Sequence, residues 1–183
     1  MKVIETGLKG CLVLESQIFD DGRGYFFESY NQQRFREKTG IEVSFVQDNQ
    51  SKSDRGVLRG LHYQSGEYAQ AKLVRVIKGK ALDVVVDIRP ESFTFGKTFS
   101  VILSGENNKQ LFVPRGFSHG FSVLEDNTIF CYKCDNYYNK ASEGGIIYND
   151  KDLDINWMLK KEEIILSEKD QHLQTFKSLR NEV

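Results

Sequence analysis

The chain has 183 residues, with 25 basic and 26 acidic side chains and a formal net charge of -1. That balance argues against a nucleic-acid phosphate footprint, while leaving room for a small anionic ligand held by a few local cations. The length favours a single domain, residues 1–183, able to bury roughly 70% of its unfolded surface, and apolar runs such as Val84-Val85-Val86 are far too short to span a bilayer.

Strand-like runs dominate. In chain order they are Leu12 to Leu14, Tyr25 to Tyr30, Val43 to Gln47, Val57 to Gln64, Lys72 to Ile77, Ala81 to Ile88, Thr98 to Leu103, Gln110 to Val113, His119 to Val123 and Thr128 to Cys134. Several are separated by Gly or polar turns such as Lys78-Gly79-Lys80. Short, regularly punctuated strands predict an all-β sandwich, jelly roll or barrel. Val84 and Val86 alternate with Asp83, Val85 and Asp87, the pattern of a sheet with one face in a core. Two helices flank the strands. Asn31 to Lys38 precedes Gly40, a C-terminal stop. Ser167-Glu168-Lys169-Asp170 opens the second with an S-x-x-D start. The polar tail after His172 is expected to be loosely held.

Polar groups recur inside these apolar strands. Leu58-Arg59-Gly60-Leu61-His62-Tyr63-Gln64 carries one of only three histidines. Imidazole is the side chain best suited to moving protons near neutral pH. His62 is either a core histidine satisfied by its neighbours or a group lining a cavity. Gly60 favours the second reading, because it lets a ligand or another backbone approach closely. Arg59 lies three positions from His62, so a regular strand points them to opposite faces. Both reach one cavity only if a bulge intervenes near Gly60.

Pro114-x-Gly116-x-x-His119 resembles the second half of the cupin metal signature. The first half is incomplete, since His62 is followed by Tyr63 and Gln64, and a carboxamide is a poor substitute for imidazole on a transition metal. Cys131-x-x-Cys134 has a metal-like spacing, but a strand points the two thiols opposite ways and no second pair completes a site. Both cysteines are therefore expected to be small core residues. With Cys11 they make an odd count behind no evident leader, which suits reduced thiols in the cytoplasm. Taken singly, Tyr132, Tyr138, Asp170 and Arg23 each have an ordinary reading as strand, turn, helix-cap or loop residues.

In combination, the segments Gly22 to Ser29, Phe45 to Ser51, Val57 to Gln64, Lys72 to Val76, Asp83 to Arg89, Pro114 to Phe121, Tyr132-Lys133, Asn136 to Tyr138 and Leu166 to Asp170 resemble the nucleotide-sugar 3,5-epimerase family. The resemblance runs through most of the chain and implies a cupin-type jelly-roll barrel with short flanking helices. It implies a homodimer without metal or cofactor, acting on a dTDP-4-keto-6-deoxyhexose at C3 and C5. It also implies roles for individual residues. His62 is the base, Asp170 orients it, Tyr132 is the acid on the opposite face, and Lys72 lies near the sugar carbonyl. Arg59 and His119 line the sugar and phosphate region. Arg23, Phe26, Glu28, Gln47, Asn49, Glu143 and Lys169 bind at or around the nucleotide end, and Tyr138 stacks on the base. A C3-only or C5-only epimerase, a ketoisomerase and a non-catalytic sugar-nucleotide binding module use the same scaffold. The family often carries proline before the Lys72 strand, where this chain has Ala69-Gln70-Ala71.

Overall fold

The structure, a computed structural model, describes residues 1–182. Its strands are β1 (Lys2–Glu5), β2 (Leu12–Glu15), β3 (Phe19–Asp21), β4 (Gly24–Phe26), β5 (Gln47–Ser53), β6 (Leu58–Gln64), β7 (Lys72–Lys78), β8 (Lys80–Asp87), β9 (Thr98–Ser104), β10 (Lys109–Val113), β11 (Phe117–Val123), β12 (Thr128–Cys134) and β13 (Glu143–Gly145). The helices are α1 (Gln32–Thr39), α2 (Glu168–Gln171) and α3 (Phe176–Glu182). Two antiparallel sheets form, in the orders β1-β2-β10-β7-β12-β5 and β13-β6-β11-β8-β9, and β3-β4 makes a separate hairpin. This is the expected cupin-type jelly roll. No helix among the described residues is long and apolar enough to cross a membrane.

Three apolar clusters follow from the alternation of strand side chains. The first contains Val74 and Val76 of β7, Val85 of β8, Phe121 of β11 and Phe130 of β12, and fills the space between the sheets. The second joins Leu82, Val84 and Val86 of β8 to Trp157, Phe176 and Leu179 on the outer face of the smaller sheet. The third packs Phe35 of α1 on Leu12, Leu14, Leu73 and Phe112, outside the larger sheet.

This layering corrects several expectations. β8 is buried on both faces, not one, and Asp83 and Asp87 have no solvent exposure at all. The tail after His172 is anchored, because Phe176 and Leu179 enter the second cluster and the Phe176 ring meets Phe95 at 5.3 Å. Tyr25 to Tyr30 is strand only as far as Phe26, and Val43 to Val46 is not strand. The strand begins instead at Gln47, in the polar run Gln47–Ser53. Its partner β12 supplies the apolar atoms, pairing Tyr132 with Asn49 and Cys134 with Gln47. Cys134 is buried as expected, but Cys131 is half-buried on the outer face of its sheet.

The two helix predictions hold. Asn31 caps α1 by accepting the Arg34 N–H, and Gly40 ends it in the left-handed conformation with φ 70°. Ser167 caps α2 by accepting the Asp170 N–H. Where proline is absent ahead of β7, the freed Ala71 N–H donates to Asp135 Oδ1 at 2.7 Å. This bond and its return, Asp135 N–H to Ala71 O, fix the strand entrance.

Candidate active site

A cavity of about 390 Å³ opens between the sheets. Its wall from the smaller sheet includes Arg59, His62 and His119, and its wall from the larger sheet includes Lys72 and Tyr132. Lys169 and Asp170 reach it from α2. The condition set for Arg59 and His62 is met. β11 pairs His119 with His62 and Phe121 with Arg59, so two steps on β11 span three on β6. The extra residue turns Arg59 and His62 onto one face and Leu58 and Leu61 into the outer cluster. Glycine is needed at the bend. Gly60 has φ +119°, and a Cβ there would lie 2.5 Å from Gly120 Cα.

His62 Nε2 and Asp170 Oδ1 are 2.5 Å apart, and Asp170 is almost fully buried. Burial by itself would raise the Asp170 carboxyl. The His62 hydrogen bond and charge, with help from Ser167 and Lys169, outweigh it and hold the carboxyl below its ordinary value. Asp170 is therefore an ionised partner that fixes the ring of His62. Opposite, burial raises the Tyr132 phenol; Cys134 and Glu143 add to that, and Arg59 opposes it. The phenol keeps its proton at neutral pH and can deliver it. Burial lowers the Lys72 amine, against the pull of Cys134, Asp83 and Glu143.

A second group of expected residues forms a connected network at the cavity edge. The Tyr138 hydroxyl donates to Glu143 Oε2 at 2.9 Å, and Lys169 pairs with Glu143. Burial raises Glu143, but Lys169, Tyr138 and the charge of His62 hold it below its usual range. Gln47 donates to Asn49 at 3.0 Å and accepts the Tyr138 N–H at 3.3 Å. Tyr138 is about half exposed.

Three expected residues are not at this cavity within one chain. Arg23 pairs with Asp21 on the exposed β3–β4 hairpin, where Phe26 is 69% exposed. Glu28 pairs with Arg34 and accepts from Asn31 at the start of α1. Gln64, at the position where the cupin metal signature has histidine, is engaged structurally, accepting the Asn139 N–H at 2.8 Å. One residue was not anticipated as part of the site. Asp83 is fully buried behind His119, with Oδ2 2.9 Å from Nε2. The available signal was a carboxylate at an inward position of an apolar strand.

Comparison with known proteins places the chain in a family. Residues 5–178 match the family model described as dTDP-4-dehydrorhamnose 3,5-epimerase. The chain is 51% identical over 179 residues to the dTDP-4-dehydrorhamnose 3,5-epimerase of Escherichia coli K12, covering 98% of this chain and 96% of that one. It superposes with a TM-score of 0.94, at 46% identity, on a Legionella pneumophila dTDP-6-deoxy-D-glucose-3,5-epimerase in complex with dTDP-4-keto-L-rhamnose, covering 99% and 95% of the two chains. A 3'-monoepimerase from Streptomyces bikiniensis, in complex with dTDP-quinovose, matches at a TM-score of 0.88 and 32% identity over 96% and 88% of the chains. On sequence, fold and near-complete coverage alike, the chain belongs to the dTDP-4-dehydrorhamnose 3,5-epimerase family.

Proposed function

We propose that this protein inverts C3 and C5 of dTDP-4-dehydro-6-deoxy-D-glucose, giving dTDP-4-dehydro-L-rhamnose. One observation carries the reading: a carboxylate-held imidazole and a protonated phenol face one cavity from opposite sheets. C3 and C5 both flank the C4 ketone. His62 removes a proton from one face, and the C–H electron pair moves onto O4. Tyr132 returns a proton to the opposite face. Exchange with solvent then restores both groups. Each proton transfer of this kind contributes about 10²–10⁴-fold. The enolate oxygen calls for a fixed donor, and Lys72 fills that role, worth about 2.7–4 kcal/mol. The ketone is regenerated, so there is no net redox change and neither metal nor cofactor is invoked. Identity of 46–51% to relatives named as 3,5-epimerases, against 32% to a monoepimerase, favours inversion at both carbons.

The nucleotide end lies along Gln47, Asn49, Glu143 and Lys169, with the base on Tyr138. Arg59 and His119 serve the sugar and diphosphate. Arg23, Phe26 and Glu28 complete the site from the partner in a homodimer. The aromatic hairpin bearing Phe19, Tyr25 and Phe26 is exposed on its own chain, which supports that arrangement. The free cysteines are in keeping with a cytoplasmic setting. The test is proton NMR of dTDP-4-keto-6-deoxyglucose in D₂O with the purified protein, coupled to a 4-ketoreductase that traps the product. Deuterium at both C3 and C5 with the L-rhamno product is expected. Inversion at one carbon only makes the protein a monoepimerase, and no exchange at either makes it a binding module.

A further inference from the structure

Asp83 stands behind the cavity wall, fully buried, with its hydrogen bonding half complete. Its Oδ2 meets His119, while Oδ1 is buried with no hydrogen-bond partner among the described residues. A buried carboxylate oxygen left without a donor is costly. Lys72 has no ion-pair partner among the described residues, and its charge acts on Asp83 through space.

We propose that Asp83 is a positioning residue for the epimerisation: one oxygen fixes the His119 ring, and the other supplies the counter-charge that keeps Lys72 an ammonium beside the ketone. This rests on the assignment of Lys72 to the ketone made above.

The neighbours of Lys72 leave Asp83 as the available counter-charge. From β12, Tyr132 is neutral and places its ring 6.0 Å from the amine. Cys134, paired with Lys72 across the strands, has its thiol pushed up to about 11 and is neutral at working pH. From β13, Glu143 is taken by Lys169. From α2, Asp170 is taken by His62 of β6. Arg59 of β6 has the same sign as the amine and cannot help. Behind His119 of β11 stands Asp83 of β8, with one oxygen uncommitted. Burial drives lysine and aspartate each toward the neutral form, and each charge opposes that for the other.

Asp83→Asn keeps the volume and still accepts from His119 while removing the charge. The alkaline limb of kcat/KM is expected to move down by about one pH unit, roughly a tenfold loss at fixed alkaline pH, with dTDP affinity little changed. The shift should vanish in a Lys72→Arg background, because guanidinium holds its proton unaided. An unmoved limb, or an equal loss at every pH together with lost dTDP binding, overturns the proposal. If Asp83→Asn does not fold, the unaltered protein decides. Its kcat/KM must carry an alkaline limb that Lys72→Arg abolishes, and activity already falling through neutral pH by loss of the Lys72 proton refutes the counter-charge role. Absence of proton exchange in the unaltered protein would instead refute the proposed function, so the two failures are distinct.

Discussion

Gly60→Ala perturbs the bend on which the cavity wall depends. The added Cβ would meet Gly120 Cα at 2.5 Å and His119 O at 2.8 Å, both backbone atoms of the paired strand. No flexible side chain can move aside, so β6 and β11 must separate or the bulge must be rebuilt. The φ of +119° adds a further penalty for an L residue. Backbone strain of about 1–3 kcal/mol and overpacking of similar size together predict a loss of about 3–5 kcal/mol. Stability of the whole fold is about 5–15 kcal/mol. Urea unfolding followed by circular dichroism should show a lower midpoint with an unchanged slope, and a melting point lower by about 6–20 °C. Activity should fall in the folded fraction too, since His62 and His119 lie on either side of the contact. A loss below about 1 kcal/mol with full activity would refute the close approach.

Other expectations concern single groups. Asp170→Asn should lower kcat by about 10²–10⁴-fold, with dTDP affinity nearly unchanged by calorimetry, because it removes the orienting charge and leaves the nucleotide network intact. Asp87 is fully buried; burial raises its carboxyl, but Arg89, Ser92 and Thr94 more than offset this and depress it from 3.8 to about 2. A depressed carboxylate stabilises the fold above its unfolded value, and that contribution, about 2 kcal/mol, is lost as pH falls from about 4 through 2. Urea midpoints of Asp87→Asn and the unaltered protein should therefore differ at pH 7 and converge toward pH 2. Mixing His62→Ala subunits with Arg23→Ala/Phe26→Ala subunits should restore about a quarter of normal activity, because random exchange gives one intact site in each mixed dimer. No recovery, with subunit exchange verified by mass, would remove the partner's hairpin from the site.

Much of the site was legible where chemistry contradicts its setting. Histidine, arginine and lysine inside apolar strands marked β6 and β7, and Gly60 marked the place where the periodicity had to break. Asn31, Gly40 and Ser167 named their helix boundaries through short-range capping. What escaped depends on contacts distant in sequence. The polar run Gln47–Ser53 is a strand because β12 pairs with it and its inward side chains face a polar cavity. Asp83 is part of the site because β11 carries His119 over it. The tail folds down because β8 leaves Leu82, Val84 and Val86 uncovered on its outer face, and Phe176 and Leu179 cover them. Arg23 and Phe26 were recognised only through resemblance, and no local signal reveals that they lie away from their own cavity.

Proton traffic from two sides of the hexose is the claim that everything else serves, and Tyr132→Phe separates the two sides. In D₂O this variant should still exchange substrate protons, because His62 and Asp170 are untouched, while forming inverted product far more slowly. Epimerisation at the normal rate by Tyr132→Phe, or exchange persisting at both carbons in His62→Ala, would contradict the assignment of acid and base to opposite walls.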